Sequence, residues 1–188
     1  MTIQILLGGL AAGLVLFVWG FVFWVVLPFP HMYLPNLPHA TEVARTLDSA
    51  IPESGTYIFP PRQGEAQMKE AYAAGPVGLL AFHKGGVDME DPTIFLKGFL
   101  HFAACAAIAG GIMASVIGSL RSYGSRALFV FRLGLFAGVA IELGKSIWWN
   151  HPNDFLFLNC AFHFVGWALA GLVIAAIVKP PAAPAATT

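Results

Sequence analysis

Long apolar runs alternate with short polar breaks along this chain, and one broad polar stretch lies between the first run and the second. A helix needs about 20 mostly apolar residues to cross a hydrocarbon core, so the pattern predicts transmembrane helices over 1–27, 92–120, 127–147 and 155–178. The first run has no Lys or Arg ahead of it and exceeds the roughly 7–15 apolar residues of a signal peptide, so it is expected to stay as an uncleaved span. The second opens on Asp91-Pro92-Thr93, a capping carboxylate followed by proline at the first helical position. Between the later runs the pattern predicts a basic cytoplasmic turn over 121–126, a polar corner over 148–154 and a disordered tail over 179–188.

The polar stretch 28–91 has its own rhythm. Pro28, Pro30, Pro35 and Pro38 predict an extended strap. Val43, Leu47 and Ala50 recur at helical spacing, giving a short amphipathic helix over Thr41–Ala50 that Pro52 stops. Thr56–Phe59 reads as a strand between Gly55 and Pro60-Pro61, and Glu65–Ala74 as a helix ended by Gly75-Pro76. Val77–His83 reads as a second strand, closed by Gly85-Gly86. A unit of this size buries too little surface to stand alone, so it is expected to lean on the membrane helices or on a partner. The expected fold is thus an all-α membrane protein: a four-transmembrane-helix bundle with a small extracytoplasmic α+β lobe between the first and second helices.

Composition agrees. Of 188 residues, 57% are hydrophobic and 11% charged, against about 25% charged in soluble domains. Mean hydropathy is +0.73. The formal net charge is zero, which gives no electrostatic basis for binding nucleic acid. Charge is unevenly placed, however. Residues 28–91 hold four basic and eight acidic side chains, a net −4, while Arg121, Arg126, Arg132 and Lys179 gather at the second-third turn and the C-terminus. The positive-inside rule then puts both termini in the cytoplasm and 28–91 outside, with a bacterial cytoplasmic membrane as the expected location. Cys105 and Cys160 both fall in apolar runs, so there is no disulfide framework.

Small residues mark the expected helix contacts. Gly9 and Gly13 form a GxxxG pair, and Ala103, Ala107, Gly111 and Ser115 make a stripe on the second span. Trp24, Trp148 and Trp149 fall where interface anchors belong, and Trp167, a turn deeper, is expected between helices. His31, His39 and His83 lack metal-ligand spacing and read as ordinary surface or packing residues.

The chemistry is sparse. At about 1.5 Å per residue, His101, Glu142 and His163 fall at similar depths, about 9–13 Å inside the membrane on its outer side. Ionisable groups at such depth cost a few kcal/mol and point to function by default. They suit axial ligation of haem b by two histidines, a metal ion held by His101, Glu142 and His163, or hydrogen bonding to a quinone. The bland reading has Glu142 paired with Lys145 three residues on, and the histidines bonding across helices. It is favoured because each helix concerned carries one histidine and no paired motif. No catalytic motif is present. Three function classes follow: a non-catalytic accessory or scaffold subunit, assembling in the lipid bilayer with other membrane subunits or copies of itself; a haem-, metal- or quinone-binding electron-transfer protein; and an oligomeric transporter or channel with Glu142 on the ion path. The first is favoured.

Overall fold

The computed structural model describes residues 1–61 and 64–181 and is mostly helical. Most of the tail expected to be disordered lies outside the described residues. Four helices are long and apolar enough to cross a membrane: Thr2–Val26, Pro92–Ser115, Tyr123–Trp149 and Asn153–Ile177. The first comprises α1 (Thr2–Phe21) and a wider π turn over Val22–Val26. It ends where Leu27 turns extended ahead of Pro28.

The strap expected from Pro28 is in part a one-turn helix, α2 (Phe29–Tyr33). Pro28 caps it and Pro30 sits in its first turn, where a missing N–H leaves no bond unmade. Then come α3 (Ala40–Ala50), β1 (Gly55–Phe59), α4 (Glu65–Ala74) and β2 (Gly78–Phe82). The strands pair antiparallel, from Gly55 opposite Phe82 to Phe59 opposite Gly78. The Phe59 ring covers the bare Cα of Gly78, leaving no room there for a Cβ. Lys84, just past β2, is the tie to α3: its Nζ donates to the carbonyls of Asp48 (2.6 Å) and Ile51 (2.8 Å), and lies 3.4 Å from Asp48 Oδ1. Those carbonyls are at the end of α3, where an ammonium also meets the negative pole of the helix.

Helix α5 (Pro92–Ser115) starts as the sequence indicates. Asp91 Oδ2 accepts from the Thr93 hydroxyl (2.7 Å) and Oδ1 from the Thr93 amide (2.9 Å). These two bonds, the hydroxyl's first, hold the Asp91 carboxyl below its ordinary range by favouring the ionised form. A 3₁₀ turn, Ile117–Ser119, follows α5. Helix α6 (Tyr123–Trp149) begins four residues before the expected span, because the Ser122 hydroxyl accepts from the Ser125 amide (3.0 Å) and caps it. It runs on to Asn150, which stops it in the left-handed conformation (φ 55°), a state asparagine tolerates. The expected corner over 148–154 thus narrows to 150–152 before α7 (Asn153–Ile177).

The long helices pack in the order α5–α1–α7–α6, and α5 and α6 touch little although only residues 116–122 join them. Gly13 lies against the Ala103 backbone and Gly9 against Ala107: a Cβ on Gly13 would come 2.5 Å from the Cα of Ala103. The stripe does not continue to Gly111 and Ser115 as expected. Nothing lies within 4 Å of a Cβ at Gly111, and the Ser115 hydroxyl turns back to its own helix at Ile112. Steps of four residues rotate about 40° around a helix, so the facing position passes to Gly110, which is buried near Ile5 and Ile174. The core below is built from Ala12, Leu16, Ala106, Met113, Val130 and Ile174.

Arg126, expected in the basic turn over 121–126, lies inside α6 and is 6% exposed. Its Nε donates to the Ala175 carbonyl (3.2 Å), and one terminal nitrogen donates to Arg121 (3.2 Å) and Leu120 (3.4 Å). The guanidinium therefore bonds together the last turn of α7 and the turn entering α6, whose carbonyls lack helical partners.

Two stability outcomes follow, both measurable as unfolding in detergent. Gly13→Leu is expected to destabilise by about 1–3 kcal/mol through overpacking, whereas Gly111→Ala changes stability by less than about 1 kcal/mol, in the stabilising direction. Arg126→Leu is expected to cost about 1.5–3 kcal/mol or more as charged hydrogen bonds vanish. Arg126→Lys restores only part of this, since an ammonium lacks the guanidinium fork.

Candidate functional site

Two side chains of the expected polar layer meet, and the third faces the same space. Glu142 is buried on α6, with 3% of its side chain exposed. Lys145, one turn on, reaches back with Nζ 2.8 Å from Glu142 Oε1, while 40% of its own side chain stays exposed. From α7, His163 Nε2 lies 3.7 Å from the same oxygen, which is ion-pair reach but too long for a direct hydrogen bond. Glycine sets this approach. A Cβ on Gly138 would come within 3.2 Å of the Phe164 ring and 3.5 Å of His163 Cβ, so the bare position lets α7 lie against α6 one turn before Glu142.

The same device recurs at each neighbouring level. The Trp167 indole occupies the space a Cβ on Gly134 would need. Gly166 admits Trp19 and Leu16 of α1, and Trp19 Nε1 donates to the Phe162 carbonyl (3.0 Å). Three aromatic-glycine contacts thus hold α1, α6 and α7 together over adjacent turns.

Above them, in the gap between α5 and α6, is a cavity of about 220 Å³. Its floor is Leu16, Phe162 and Gly166, all buried, and its mouth is flanked by His101 of α5 and Ile141 of α6, both exposed. The remaining walls include Cys105, Ala137, Gly138, His163 and Trp167. His101 and His163 therefore line one cavity from different helices. Glu142 lies behind His163, outside the lining.

His101 otherwise has Cys105 Sγ at 4.0 Å from Nδ1 and the Phe102 ring beside it. Asn159, on the His163 side of α7, donates to its own helix at Phe155 (2.8 Å). Among the described residues no group of three or more His, Cys, Asp or Glu side chains converges as a metal site, so the trio His101, Glu142 and His163 does not form one. The cavity is on the scale of a small ring: one of about 150 Å³ holds a single benzene, and a porphyrin is several such rings across.

The tryptophans divide. Trp148 and Trp149 are exposed at the corner, 78% and 44%. Trp24, also expected as an anchor, is half-buried and packs on Phe23 and Phe162, with ring centroids 5.2 and 5.7 Å away. Its aromatic neighbours come from the π turn and from α7.

The buried pair gives a direct test. Lys145→Leu strands a buried carboxylate and is expected to destabilise, and Glu142→Leu strands the ammonium less severely because Lys145 is half exposed. The double variant should recover part of both losses, with a coupling of about 0.5–3 kcal/mol in detergent unfolding. The chain matches no protein-family model, no curated protein and no solved structure.

Proposed function

We propose that this chain is a non-catalytic accessory subunit of a larger membrane complex: a four-helix membrane bundle that carries residues 28–91 on the extracytoplasmic side as a lobe for a protein partner. The observation that carries this reading is that the lobe has no core of its own. From His31 to Leu100 no described residue is buried, although the segment folds into α3, β1, α4 and β2. A lone two-stranded sheet is marginal in water, and here it has two open edges.

The lobe is also apolar where water would meet it. Met32, Leu37, Val87 and Met89 are between 58% and 84% exposed. The net charge of −4 over residues 28–91 opposes contact with anionic headgroups, so a protein surface suits the lobe better than the bilayer does. The orientation rests on the basic cluster at the opposite helix ends, where Arg121, Arg126 and Lys179 lie. The small-residue contacts among the four helices supply a rigid base.

A photo-crosslinking residue in place of Met89, activated in native membranes, tests the reading. The expected product is one discrete adduct larger than the chain, which disappears when Leu37 and Val87 are changed to Asp. A product of twice the chain's mass would make the partner a second copy. Lipid adducts alone, or no adduct from a chain that remains monodisperse, would overturn the proposal.

A further inference from the structure

The cavity between α5 and α6 is independent of the lobe and has a chemistry of its own. We propose that it binds the ring of a lipid-soluble quinone, whose hydrocarbon tail leaves through the mouth between His101 and Ile141 into the bilayer. Three features of the site select this class of ligand.

Size comes first. The volume of about 220 Å³ exceeds the roughly 150 Å³ that takes benzene, so a substituted quinone ring fits. The second is the walls. Leu16, Phe102, Ala137, Ile141 and Phe162 give an apolar slot, which a flat ring fills without stranding a charge. The third is the pair of imidazoles. His101 and His163 enter from α5 and α7, and each neutral imidazole offers one N–H donor and one acceptor nitrogen. Two such groups on different walls match a ring that carries oxygens at separate positions, as carbonyls or as hydroxyls.

Access agrees with a lipid-borne ligand. Helices α5 and α6 touch little, so the mouth opens sideways between two helices rather than toward their ends. His101 and Ile141 at its rim are exposed. A ligand dissolved in the bilayer enters without crossing water, and its tail need not be bound. Glu142, held by Lys145 at 2.8 Å and 3.7 Å from His163 Nε2, is a positioning residue: its carboxylate lies behind the imidazole that faces the ring, biases that imidazole electrostatically and does not touch the ligand.

The experiment uses the full chain in detergent, titrated with a decyl-tailed benzoquinone and followed by quenching of tryptophan fluorescence. Trp167 lines the cavity, so binding should quench saturably at one equivalent, and Trp167→Phe should remove the saturable part. Ala137→Leu, which fills the slot, and His163→Leu, which removes a hydrogen-bonding group, should each weaken binding about tenfold or more. Phe136→Ala, on the exposed side of α6 at 74% exposure, should leave it unchanged. Glu142→Gln should weaken binding less than His163→Leu does.

Quenching that rises without saturation in proportion to the quinone-to-detergent ratio would mean partition into the micelle and would overturn the proposal. Saturable binding that ignores both Ala137→Leu and His163→Leu would overturn it equally. So would native mass spectra in which a phospholipid, and not the quinone, is retained by the wild type and lost from Ala137→Leu. If Ala137→Leu does not fold, His101→Leu and His163→Leu decide the question on the same criteria.

Discussion

The membrane-length part of this protein depends on how closely α7 approaches its neighbours, and that distance is set where aromatic rings lie on glycine. Trp167 sits over Gly134, Phe164 against Gly138, and Trp19 over Gly166. In lipid there is no gain from hiding apolar surface from water, so contact area and close approach carry helix association. A ring on a bare Cα gives both. Because these contacts lie on adjacent turns next to Glu142, they also place His163 within reach of the carboxylate and build the floor of the cavity. Widening any one of them would move the histidine away from the carboxylate at the same time.

Length and apolar content made the four long helices legible in the sequence, and local chemistry made several of their ends legible too. Asp91-Pro92 starts α5 as read, and Gly75 ends α4 at the expected residue. Ends that depend on one small side chain were harder. Ser122 starts α6 early and Asn150 holds it late, and neither stands out among its polar neighbours. Depth could be read along each helix by counting residues, which is why His101, Glu142 and His163 fall at one level. Direction around the helix could not, since it depends on the partner's position. Hence Gly110, rather than Gly111, meets α1, and the ring of Trp24 packs on Phe162 of α7.

Lys84 and Arg126 escaped the sequence reading for a shared reason. In the sequence Lys84 is one of the four basic residues of 28–91 and Arg126 closes the basic turn over 121–126, yet each donates to carbonyls at the end of a helix distant in sequence, Lys84 to α3 and Arg126 to α7. Helix ends leave carbonyls without partners, and a long cationic side chain from another element can satisfy them wherever the chain brings it near. A basic residue beside a turn therefore has two roles that its sequence context does not separate. For Arg126 both hold at once: it contributes to the basic end of the chain and it closes that end mechanically.

Glu142 presents the opposite problem, a charge whose burial was foreseen but whose benefit is not stability. Bringing a carboxylate out of water costs about as much as its partners return, and a buried pair replaced by apolar groups of similar size is often no less stable. What Glu142 supplies is position. Lys145 holds its Oε1 from the corner side, which leaves that oxygen facing α7 at the level of His163. A helix pair joined only by glycine and aromatic contacts could slide or rotate slightly at little cost, since such contacts are weakly directional. A carboxylate bonded to a lysine on its own helix and 3.7 Å from a histidine on the next adds an electrostatic preference for one arrangement of that pair, and so biases the imidazole at the cavity wall.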